Sequence, residues 1–167
     1  MRGPFCMVFV LTSSCQSASS PPAPPPSVAS ATTAQRKSPA DELDQLDGRS
    51  PVPLLPMMAQ HQKQNMRDHL AVVQEVVAAL GAGDFAKVAQ SAKRMGYSET
   101  MGQMCEHMGA GAPGFTEKAL AFHHSADHIV AAATKNDSAA VLSALAATLA
   151  TCTTCHAAYK QRAVAAL

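Results

Sequence analysis

Cys152, Thr153, Thr154, Cys155 and His156 stand in the order Cys-x-x-Cys-His, and these residue types at this spacing suit one chemistry above others. Two thiols three residues apart can add across the vinyl groups of a haem as thioethers, and the adjoining imidazole can bind the iron on its proximal side. On a helix, positions three and four apart share a face. Cys152, Cys155 and His156 would then meet a single flat macrocycle. A thioredoxin-like dithiol would follow a strand, and no β-rich run precedes Cys152. A structural zinc site would draw on further ligands such as Cys105 or His107, with its cysteine pair in a tight turn. No glycine or proline occurs from residue 138 to the end, so the pair is expected inside a helix.

The elements that would position this motif follow from hydrophobic spacing. A first helix is expected over 56–80, closed by Gly81-Ala82-Gly83, a glycine C-cap signal. Its apolar stripe is Met66, Leu70, Val73, Val77 and Leu80, alternating four and three as a bundle seam does. Asp84 is placed to cap a second helix over 85–95. Residues 97–114 read as irregular, with one helical turn near 101–108. A third helix is expected over 115–134, with Phe115, Ala119, Phe122, Ala126, Ile129 and Ala133 on one face. After a turn at 135–138, the last helix carries Leu142, Leu145, Leu149, Cys152, His156, Tyr159 and Ala163 at three-four spacing. The haem-bearing residues share a stripe with the leucines, so the group would belong to the core. The expectation is an all-α fold, an antiparallel four-helix bundle with haem c on its C-terminal helix, touching the first and third helices.

Composition divides the 167-residue chain into three parts. Residues 1–15 resemble an export signal: Arg2, then apolar residues to Leu11, then Thr12-Ser13-Ser14-Cys15. The small residues before Cys15 resemble a bacterial lipobox, although Thr12 stands where leucine is usual. Residues 16–55 are rich in Ser, Pro and Ala, including Pro21-Pro22-Ala23-Pro24-Pro25-Pro26. Such a stretch buries too little apolar area to offset its ordering entropy and is expected to be a disordered tether. Residues 56–167 make one small domain. A formal charge of +1 and the absence of a basic cluster argue against a nucleic-acid partner, and no apolar run is long enough to span a bilayer. Of five cysteines, Cys6 leaves with the signal and Cys15 is the lipid candidate. Cys152 and Cys155 serve the haem, and Cys105 is left as a small buried hydrophobe.

Over about residues 60–162, and most strongly from Cys152 to Lys160, the chain resembles the class II c-type cytochromes, the cytochrome c-prime family. In that class the haem motif lies in the C-terminal helix. The resemblance implies one covalent haem c, a location in the periplasm and single-electron transfer between redox partner proteins, with no enzymatic activity. Aligning the first helix puts Met66 over the distal haem face as candidate sixth iron ligand, with His69, one turn on, as the alternative. Lys160, four after His156, matches a basic residue near the proximal face. The family's arginine one turn before the distal residue is replaced here by Gln62. Some members keep the sixth position open and bind nitric oxide or carbon monoxide, which is the alternative function. Members are monomers or pair through their first two helices, so a homodimer is one expectation. A lipid on Cys15 would tether the domain to the membrane.

Two further clusters have donor chemistry. His124 and His128, four apart and beside His123 and Asp127, could face one metal ion, but the sequence supplies no third ligand. Met101, Met104, Cys105, His107 and Met108 are soft donors suited to Cu(I), or else core-packing side chains. A zinc or copper module using Cys105, His107, Cys152 and Cys155 is the remaining alternative. No local signature of a catalytic triad or carboxylate pair is present.

Overall fold

In the computed structural model, residues 38–165 are described. The segment expected to be an export signal, Cys15 and the proline-rich run lie outside them. The described residues are mostly helical: α1 (Pro39–Leu46), β1 (Ser50–Leu54), α2 (Pro56–Gly81), α3 (Phe85–Ala92), α4 (Glu99–Gly109), α5 (Phe115–Ala133), α6 (Ser138–Ala158) and β2 (Tyr159–Ala163).

Local chemistry sets the helix ends much as expected. Pro56 opens α2, where a missing N–H costs nothing, and Gly83 takes the left-handed φ of 70° just past its end. The Asp84 carboxylate accepts from the Lys87 N–H at 2.8 Å to start α3. Asn136 adopts a left-handed φ of 57°, and Asp137 accepts from the Ala140 N–H at 2.9 Å to start α6.

Four differences from the expected elements have physical reasons. First, residues 39–46 and 50–54, expected within the tether, form α1 and β1. Val52 and Leu54 are 1% and 0% exposed. β1 lies parallel to β2, with Ser50 opposite Tyr159 and Leu54 opposite Ala163. The Leu54 carbonyl accepts from the Val164 N–H at 2.9 Å. Pro51 and Pro53 fall at the alternate positions, whose missing N–H groups would point away from the ladder. Residues 50–54, expected within the disordered tether, form an edge strand.

Second, residues 99–109 are a full helix, started by Ser98, whose hydroxyl accepts from the Met101 N–H at 3.2 Å. Gly102 and Gly109 are there for close approach. A Cβ at Gly102 would lie 2.9 Å from the Tyr97 hydroxyl, and one at Gly109 would meet the Thr116 side chain. Third, the buried face of α2 is Ala59, Val72, Val76 and Ala79, rotated from the expected stripe. Met66, Leu70 and Val77 are exposed. Likewise Val141, Leu145 and Thr148 face inward on α6, while Leu142 and Leu149 face outward. Fourth, α3 ends at Ala92 and α6 at Ala158, where Tyr159 turns extended. Contrary to expectation, α6 is long and apolar enough to cross a membrane by length and composition alone. Alanine and leucine make it so, and α6 packs chiefly on α5.

Two apolar cores result. The larger gathers Val72, Val76, Val88, Met95, Phe122, Ile129, Val141 and Leu145. The smaller gathers Val52, Leu54, Ala59, Met108, Ala112 and Phe115. Within α5, Phe122 faces the first and Phe115 the second. β1 supplies two of the six buried residues of the smaller core, which makes a sharp test. Leu54→Ala should lower unfolding stability by about 2–5 kcal/mol, measured by urea titration. A disordered linker residue would leave the midpoint unchanged.

Candidate functional site: the Cys-x-x-Cys-His turn of α6

The last turns of α6 sit where the two cores meet. Cys152 packs against the larger core and Cys155 against the smaller. Both are free thiols, half-buried, inside an unbroken helix. Burial pushes both thiols above the ordinary cysteine range, so they are protonated at neutral pH. His156 stands on the solvent side of the same turn. Among the described residues its imidazole makes no hydrogen bond or ion pair.

The neighbouring threonines are already committed. Thr153 and Thr154 both donate to the Ala150 carbonyl, at 3.0 and 2.7 Å, and Thr151 donates to the Thr148 carbonyl at 2.6 Å. Thr148 is fully buried, donating to the Ala144 carbonyl and accepting from Ser125 of α5 at 3.1 Å. Hydroxyls bonded back to their own helix are satisfied locally. That leaves two free thiols and one imidazole as the reactive groups of the segment.

The helix end is held by the N-terminal segment. Arg49 donates to the carbonyls of His156 and Tyr159, at 3.2 and 3.5 Å, placing a cation where the helix dipole is negative. Asp47 grips Arg49 at 2.7 Å, and that pairing holds its carboxyl down at about 2. Lys160 serves the same clamp. Its ammonium donates to the Asp44 and Asp47 carbonyls at 2.6 and 3.0 Å and pairs with the Asp44 carboxylate at 2.8 Å. The residue anticipated beside a haem is bonded to α1. Sequence reading passed over Arg49, because an Asp-Gly-Arg turn looks like linker; its signal was the nearby Asp47.

The distal candidates separate. Met66 is 41% exposed on α2. His69 is half-buried, its ring 4.8 Å from Phe122 and 5.6 Å from His123 between centroids. Burial first, and the neighbouring His123 second, press its pKa down to about 4. Met58, in the first turn of α2, packs against the same small core as Cys155, a thioether that sequence reading did not single out.

The other donor clusters are dispersed. His123 is buried and bonds to the Met95 carbonyl at 2.7 Å. His124 stacks on Tyr97 at 4.5 Å and reaches Asp127 at 3.9 Å, and His128 is exposed. On α4, Cys105 and Met108 are buried, Met104 packs on the small core, Met101 is half-buried and His107 is exposed. Among the described residues no three His, Cys, Asp or Glu side chains come together as a metal-binding group. Cys105, His107, Cys152 and Cys155 are not gathered into one.

No protein-family model, curated protein or solved structure matches this chain.

The two buried imidazoles imply an acid-sensitive fold. His69 has its pKa lowered to about 4, and burial lowers that of His123 as well. The unfolded chain therefore takes up protons near pH 6.5 that the folded protein refuses. Stability should fall as pH drops from about 6.5 towards 4, with His69 contributing about 2 kcal/mol after allowance for its residual exposure. Urea midpoints measured across that range should decline, and His69→Gln should flatten the decline.

Proposed function

We propose that this chain is an exported monohaem c-type cytochrome that carries single electrons between periplasmic redox partners. One observation carries the reading: two unpaired thiols one turn apart within a continuous helix, followed by an uncommitted imidazole. These residues fit haem c. Cys152 and Cys155 would hold it through thioethers, and His156 would bind its iron from the proximal side. When bound, the group supplies reversible one-electron chemistry.

What the chain contributes is position and surroundings. Threonine hydroxyls turned back on the backbone leave the attachment face apolar. Leu149, three before Cys152 and seven before His156, extends that face and is otherwise exposed, as are Met66, Leu70 and Val77 on α2. Arg49 and Lys160 hold the end of α6 to residues 44–49, which keeps His156 in a fixed register. On the distal side Met66 is the ligand we favour, because its side chain is uncommitted whereas the ring of His69 is packed.

We infer a four-helix bundle built from α2, α3, α5 and α6. Phe115 lies against Tyr159 and Ser125 against Thr148, pairs that step in opposite directions along α5 and α6. Successive packing of α2 on α3, α3 on α5 and α5 on α6 accords with it.

Absorption spectra of the protein, produced together with haem-attachment machinery, test the proposal. A Soret band should survive denaturation and disappear in a Cys152→Ala/Cys155→Ala double variant. No such band in the wild type overturns the reading. The oxidised protein should show the long-wavelength band of a methionine–iron bond and no response to carbon monoxide. Met66→Leu should abolish that band and open the iron to carbon monoxide, while Met58→Leu should leave both unchanged. A wild type that already binds carbon monoxide would instead indicate a gas-binding protein.

A further inference from the structure

The pair His69 and His123 is not used by the proposed haem site. Met95 fixes the chemistry of one member. Its carbonyl can only accept, so Nδ1 of His123 carries the proton in their 2.7 Å hydrogen bond. The lone pair is then on Nε2. An Nδ1–H bonded to a backbone carbonyl, with Nε2 left free, is the orientation that metal-binding histidines adopt.

His123 is 4% exposed, and its Nε2 has no hydrogen-bond partner among the described residues. His69 has none on either ring nitrogen. Buried polar atoms normally find partners. Yet no fully enclosed side-chain nitrogen or oxygen is left unsatisfied among the described residues. The unpaired nitrogens therefore border accessible space. A cavity of about 180 Å³ lies beside His69, lined also by Asn65, Asp68, Val72, Arg94 and Met101.

The geometry of the pair is suggestive of a shared ion. The ring centroids are 5.6 Å apart and the planes cross at 78°. Two imidazoles bound to one ion through nitrogens at about 2.0–2.1 Å place their centroids roughly 5–6 Å apart. A third donor is at hand in Met101, which lines the same cavity as His69.

We propose that His69, His123 and Met101 form a binding site for a single Cu(I) ion, separate from the Cys-x-x-Cys-His turn. The donor set selects the metal. No third His, Cys, Asp or Glu joins the two imidazoles among the described residues, so a tetrahedral zinc site lacks its ligands. Cu(I) is soft, accepts thioether sulfur and is satisfied by two or three donors. The charge around the cavity suits a monovalent cation. Arg94 is neutralised by Glu75, with both carboxylate oxygens at 2.8 Å, leaving the Asp68 carboxylate as the cavity's uncompensated charge.

The site is testable without reference to haem. Cu(I) would be supplied anaerobically to the full-length protein and competed against a chromophoric Cu(I) chelator. One ion per chain is expected. His69→Ala and Met101→Leu should each weaken binding by at least about tenfold, with helical circular dichroism unchanged. His124→Ala, on the neighbouring surface, should leave affinity intact. The absorption spectrum of the haem-loaded protein should be the same with and without His69→Ala. Absence of Cu(I) binding, wild-type affinity in the His69 or Met101 variant, or stronger binding of Zn(II) that survives Met101→Leu would each overturn the proposal. So would a change in the haem spectrum on His69→Ala, which would make His69 a haem ligand.

Discussion

The meeting of β1 with β2 is the constraint on which the rest of the described structure depends. It joins the segment before the long helices to the segment after them and closes nearly the whole domain into one loop. Closing a chain of roughly 100 residues costs about 4 kcal/mol beyond a constant term. A short parallel ladder, at about 1 kcal/mol net per hydrogen bond, offsets that only in part. Burial of Val52 and Leu54, at about 2 kcal/mol each, supplies the remainder. The strand thus holds because its aliphatic side chains complete the smaller core with Ala59, Met108, Ala112 and Phe115. Hydrogen bonding sets the register, and burial supplies most of the stability.

That closure determines how the Cys-x-x-Cys-His turn is presented. With β2 secured, the helix ends at Ala158, and Arg49 and Lys160 tie the exit to residues 44–49. Cys152 and Cys155 lean on different cores, while His156 looks outward. Were the N-terminal segment loose, α6 would be free to fray from its end, and the imidazole would lose its fixed relation to the thiols. The residues that stabilise the closure and those that would bind a prosthetic group are therefore neighbours in space, although many come from opposite ends of the chain.

Polar groups inside the domain follow the same economy. Thr148 and Ser125 satisfy each other between α5 and α6, and the Ser91 hydroxyl with Arg94 satisfies Glu75 between α3 and α2. Against this background the unpaired ring nitrogens of His69 and His123 stand apart. Neutral imidazoles, side by side and pressed towards the uncharged form by burial, are a costly arrangement for packing alone, and a cavity adjoins His69.

Much was legible in the sequence because it is governed by local chemistry. Asp84, Asn136 and Asp137 mark helix boundaries through bonds spanning three or four residues. The absence of glycine and proline after residue 138 carries α6 through the motif. The helical class follows from order and spacing alone. Tertiary contacts decided the rest. Which face of α2 turned inward depended on α3 and β1, not on its own periodicity, because the adjacent pairs Val72-Val73 and Val76-Val77 offer two faces of similar hydrophobicity. Glycines at 102 and 109 looked like breaks until Tyr97 and Thr116 filled the space beside them. The prolines of residues 50–54 resembled a tether until a strand from the far end supplied a ladder. Spacing determines what a segment can do by itself, and only burial against distant residues decides which of those possibilities the folded chain adopts.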